Sequence, residues 1–117
     1  MSITGVRSNT FEIKQGDNSP FLETTLLDGE GVALDLTDAT TVTLSMTPCE
    51  HPRTPVLDNV AADFDADATG SVWYEWQAGD TDVAGRYNIE WTVIYPSGLH
   101  LTIPSKGYDI VEVTKRL

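Results

Sequence analysis

Nearly every candidate element along this 117-residue chain alternates apolar and polar positions with a period of two, the spacing of a strand with one buried and one wet face. The clearest run, 86–95, sets Tyr87, Ile89, Trp91, Val93 and Tyr95 against Asn88, Glu90 and Thr92. Residues 41–46 place Val42, Leu44 and Met46 opposite threonine and serine, and 71–76 place Val72, Tyr74 and Trp76 opposite Trp73 and Glu75. Shorter strands are predicted over 11–14, 21–27, 32–36, 99–103 and 108–113. The turn signal DGEG at 28–31 joins 21–27 to 32–36 as a hairpin, with Val32, Leu34 and Leu36 on one side. The segment from Thr47 holds Pro48, Pro52 and Pro55 and is expected to be a surface loop, because proline removes ladder donors. Beyond it, 56–60 reads as an edge strand and the acidic part up to Gly70 as a loop. No stretch carries a sustained helical stripe. About seven to nine short strands at roughly 8–12-residue spacing predict an all-β sandwich or barrel.

Composition agrees with one packed domain. Hydrophobic residues make up 40% of the chain and charged residues 21%, and a chain of this length buries roughly two-thirds of its unfolded surface. The expected organisation is an N-terminal arm over 1–10 and a single domain over 11–117. The N-terminus has no long apolar run, so neither a signal peptide nor a membrane span is expected. Eighteen acidic residues against seven basic ones give a net charge of −11. That excess repels a nucleic-acid backbone and strains a compact state unless salt screens it. A high-salt setting is one expectation; an ordinary acidic surface is the other.

The candidate chemistry is sparse. Asp63, Asp65, Asp67 and Gly70 suggest a calcium loop, but an EF-hand register would put Ala68 at the glycine position and Tyr74 at the glutamate position. Cys49 and His51 lie two apart, and His100 is the only other histidine, which leaves a four-ligand zinc site incomplete. There is no GxSxG and no phosphate-binding glycine loop. The expectation is a protein without catalytic residues, metal or cofactor. Most aromatics fall at core-facing parity; Trp73 has the opposite parity and is a candidate contact anchor. The proline loop, with Cys49, His51, Pro52 and Arg53, is the second candidate interface, and the N-terminal arm a third.

The stretch YEWQAGDTDVAGRYNIEW, residues 74–91, joins two aromatic strands through a short acidic turn. Tyr87, two residues after Gly85 at the start of a long strand, is placed like the tyrosine of a tyrosine corner, which bonds back to upstream backbone. Together with IKQGDNSP, LDGEGVALDLTDAT and the closing IPSKGYDIVEV, this stretch resembles the immunoglobulin-like N-terminal domain of the baseplate upper protein family of tailed phages, over about 11–113. The resemblance implies an immunoglobulin-like antiparallel β-sandwich and a structural role in the virion. With the sequence stopping at Leu117, it further implies a stand-alone plug, adaptor or fibre base on tail or head. Expected partners are other virion proteins and further copies of the chain, with neither nucleic acid nor membrane. The alternative function is a free-standing adhesion or carbohydrate-binding module, since sandwiches host both.

Overall fold

The computed structural model describes residues 10–50, 54–103 and 110–116. The chain is all-β. The described residues form eight strands, β1 (Thr10–Lys14), β2 (Leu22–Thr25), β3 (Thr41–Pro48), β4 (Leu57–Phe64), β5 (Ser71–Tyr74), β6 (Gly85–Ile94), β7 (His100–Ile103) and β8 (Ile110–Thr114). They form one hydrogen-bonded path, β1-β8-β6-β3-β4-β5-β2, with β7 paired to the second half of β6, and the sheet curls until it is nearly closed like a barrel. All pairings are antiparallel except β1 with β8, which run parallel. That pair corrects the expectation of a purely antiparallel fold. The arm expected over 1–10 lies outside the described residues up to Thr10, which opens β1.

Side-chain alternation builds the core. Val42, Leu44 and Met46 of β3 are fully buried, as are Trp91 and Val93 of β6 and Val111 of β8. Tyr87 and Ile89 extend the same inner face of β6. Tyr95 is only partly buried, and its hydroxyl donates to the carbonyl of Asp35 at 3.1 Å.

Three elements depart from the sequence pattern. Residues 32–36 do not make a second hairpin strand; Leu27 and Ala33 share a single bridge, and Val32 is 58% exposed. The backbone groups there bond to two segments, 26–28 on either side of that bridge and then the acidic loop. The Val32 carbonyl accepts from Asp28 N, Leu34 N donates to the Leu26 carbonyl, and Leu36 N donates to the Asp67 carbonyl. The pairing with 26–28 stops after one bridge because Leu36 turns away to Asp67, so the alternating side chains have no continuous ladder behind them.

The stretch after the prolines is also different. In place of an edge strand over 56–60 there is an eight-residue interior strand, β4, which pairs with β3 and then, through Asp63 and Phe64, with β5. A bulge hides it from the period-two pattern: Leu44 faces Val60 while Met46 faces Leu57, so β4 carries an extra residue. Asn59 sits there at φ 53°, a left-handed conformation that asparagine tolerates better than most residues. Its backbone N–H donates to Ser45 Oγ at 3.0 Å. The bulge puts Val60, Ala62 and Phe64 against the core with Leu57.

Finally, β3 runs on through Thr47 to Pro48, which faces Tyr87, so the surface loop begins later than the prolines suggest. The proline is tolerated because β3 has by then passed its last partner in β4, leaving no donor to satisfy on that side.

Candidate functional site

The turn 77–84 packs on the turn that follows β1. Thr81 is buried and its hydroxyl donates to the Asp17 carbonyl, while Gly16 N donates to the Thr81 carbonyl. Asp80 accepts from both the Tyr74 hydroxyl and Gln77 N at 2.7 Å. The Tyr87 hydroxyl donates to the Val83 carbonyl, four residues upstream. Gly85, at φ 153°, would put any Cβ 3.8 Å from that hydroxyl. The acidic turn therefore serves as a corner of the fold, with Asp80, Thr81 and the Val83 carbonyl engaged inside the chain.

Burial raises the pKa of Tyr74 above the usual tyrosine value of 10, and the bond to Asp80 and that carboxylate's charge add to the rise. Burial also raises Tyr87, and Tyr95 is raised by burial and by the charges of Asp35 and Asp38. A folded-state pKa above the unfolded one means that the fold favours the protonated phenol, so this stability is intact below pH 10 and is lost as the pH climbs beyond it. Urea denaturation from pH 8 to 12 is expected to show falling stability above pH 10, with tyrosinate absorbance lagging behind that of the unfolded chain. Tyrosinate appearing at the same pH in folded and unfolded protein would contradict this.

Asp67, in the acidic run after β4, is also architectural. Asp67 accepts from Thr69 N and from the Thr69 hydroxyl, and these bonds hold its carboxyl below the usual range. Asp35 is lowered in the same way by Thr37. Among the described residues, no three His, Cys, Asp or Glu side chains group closely enough to hold a metal ion, and no helix is long and apolar enough to cross a membrane.

The candidate interface residues divide between two places. Cys49 is a half-buried free thiol whose backbone N–H donates to the Arg86 carbonyl, beside the Gly85–Tyr87 corner. Val56 and Val83, 40% and 67% exposed, line a groove there together with Pro48 and Tyr87. His51, Pro52 and Arg53 lie outside the described residues. His100 is exposed at the start of β7.

Trp73 stands elsewhere, at the middle of β5. Glu23 of β2 faces it on one side and Asp63 of β4 on the other, so three side chains share one row of one sheet face. Thr25 faces Ser71 in the next row, and Asp65 N donates to the Ser71 carbonyl at 3.1 Å. Phe21, 41% exposed, closes the opposite end. Phe21, Glu23, Thr25, Asp65, Ser71 and Trp73 line an open groove. Trp76 and Trp91 are buried at 4% and 0%, whereas Trp73 is half-buried. Parity singled out Trp73, but its acidic neighbours come from two other strands, β2 and β4. One signal does point to them: between Lys14 and Arg86 the chain carries fourteen acidic residues and one basic residue, Arg53.

Neither models of known protein families, nor curated proteins, nor solved structures give a match to this chain.

Proposed function

We propose that the chain is a non-enzymatic structural module of a tailed-virus particle, an immunoglobulin-like sandwich that docks against other particle proteins through the Trp73 face and assembles in the particle with further copies of itself. Two features support the immunoglobulin-like part. The pairs β2–β5 and β5–β4 correspond to the B, E and D strands of such a sandwich, and the run β3–β6–β8 to its C, F and G strands. The Tyr87 hydroxyl, at the start of the F-like strand, bonds back to the Val83 carbonyl as a corner tyrosine does. The virion setting rests on the sequence resemblance over 11–113. The observation that carries the docking role is Trp73, which stands on an open sheet face while the other two tryptophans fill the core.

The test is the mass of the protein in solution, by light scattering from low to multimolar KCl, with and without virion proteins. Capture by virion proteins, weakened by Trp73→Ala, and self-association are the expected results. A chain that stays monomeric and ignores virion proteins at every salt concentration overturns the reading. The high-salt setting belongs to the same proposal. Among the described residues only two ion pairs form, Arg86–Glu112 at 3.5 Å and Arg116–Asp17 at 2.9 Å, both substantially exposed, so pairing relieves little of the repulsion. The melting temperature should rise with KCl; a flat or falling trend removes the halophilic part.

A second reading, a carbohydrate-binding or adhesion module, is favoured by the polar lining of Glu23, Thr25, Asp65 and Ser71 beside the Trp73 ring. A glycan screen with wild type and Trp73→Ala separates it from the first.

A further inference from the structure

We infer that the face around Trp73 is a docking surface for a basic partner protein, which lays an arginine or lysine side chain over the Trp73 ring between Glu23 and Asp63. The inference rests on the docking role proposed above and adds the chemistry of the partner. An indole face is the strongest aromatic attractor of a cation, and guanidinium groups use it most often. Here the ring is flanked by carboxylates on both neighbouring strands, Glu23 and Asp63, with Asp65 just past the end of β4 and Glu75 just past the end of β5. The strands β2, β4 and β5 contain no lysine or arginine, and the two ion pairs of the described residues lie elsewhere.

A neutral partner covering this face would strip water from those carboxylates without compensating their charge. An acidic partner or a nucleic acid would be repelled. A guanidinium satisfies both the ring and the paired oxygens, with five donors in a planar fork. Phe21 at the end of the groove offers apolar contact to the aliphatic stem of the incoming side chain.

The probe is a hexa-arginine peptide titrated into the intact protein, followed by calorimetry and tryptophan fluorescence, with hexaglutamate as control. Wild type should bind it, with affinity falling as salt is added. Trp73→Ala and the shape-preserving pair Glu23→Gln/Asp63→Asn should each weaken binding at least tenfold. Glu30→Gln/Asp38→Asn, which removes the same charge from exposed positions elsewhere, should change it less than twofold. Equal weakening by all variants means that bulk charge alone attracts the peptide, and overturns the inference. So does binding of a neutral glycan, but not of the peptide, at Trp73. If Trp73→Ala abolishes capture by virion proteins while hexa-arginine fails to bind wild type, the docking role stands and the basic partner does not. If hexa-arginine binds through Trp73 but no virion protein does, the virion reading fails and the basic-partner surface remains.

Discussion

Replacing Trp76 by alanine is expected to remove about 4 kcal/mol of folding stability, within the range for large aromatic truncations in cores. Trp76 lies just beyond β5, is 4% exposed, and stands where the two ends of the hydrogen-bonded path approach each other. Its ring lies 6.1 Å from Phe11 of β1 and 5.6 Å from Tyr74 of β5, edge-on to the latter. Its indole N–H donates at 3.0 Å to the carbonyl of Pro20, two residues before β2. One side chain thus ties β1, β5 and the entry to β2. Trp76→Phe keeps most of the apolar contact and loses the hydrogen bond, so its expected cost is smaller, about 1–2 kcal/mol. Equilibrium urea denaturation measures both. Hydrogen exchange should show the loss concentrated in β1 and β2. Equal losses for the two variants would mean that the bond to Pro20, and not the packing, holds this junction.

Gly70→Ala is expected to lower stability by about 3 kcal/mol, although it adds only a methyl group. Gly70 has φ +69°, a left-handed conformation that costs an ordinary residue roughly 1–2 kcal/mol. A Cβ there would sit 2.5 Å from the Leu26 carbonyl oxygen and 3.1 Å from Leu34 N, both backbone atoms. The same atoms are engaged: Leu26 N donates to the Gly70 carbonyl and Leu34 N to the Leu26 carbonyl, each at 2.9 Å. Moving the backbone to admit the methyl weakens both bonds, at about 1 kcal/mol apiece. For a domain of this size the total corresponds to a fall in melting temperature of roughly 10–15 °C. A loss below 1 kcal/mol would show that the junction of the β2 end, the 32–36 segment and the acidic loop yields easily. Gly70 drew attention in the sequence only as the end of a possible calcium loop; its role is to let three backbone segments meet.

The Trp73 face shows where local reading stops. Parity within 71–76 is enough to turn Trp73 away from Val72, Tyr74 and Trp76, because alternation is a property of a single extended strand. Which residues flank it is decided by pairing with β2 and β4, at separations of 50 and 10 residues for Glu23 and Asp63. No local pattern carries that information. The scarcity of basic residues between Lys14 and Arg86 indicates an acidic face without locating it.

The same division runs through the fold. The chain's own alternation determined the all-β class and the buried faces of Val42, Leu44 and Met46 and of Tyr87 to Val93, since each depends only on side chains two residues apart. The spacing of Gly85 and Tyr87 likewise placed the corner, because its bond to Val83 closes within four residues. Tertiary structure alone decided that β1 runs parallel to β8, that Asn59 bulges β4 so that it can serve both β3 and β5, and that residues 32–36 leave 26–28 after one bridge to bond Asp67. These are choices among backbone donors and acceptors, which are the same in nearly every residue, and they are settled only when distant segments come together.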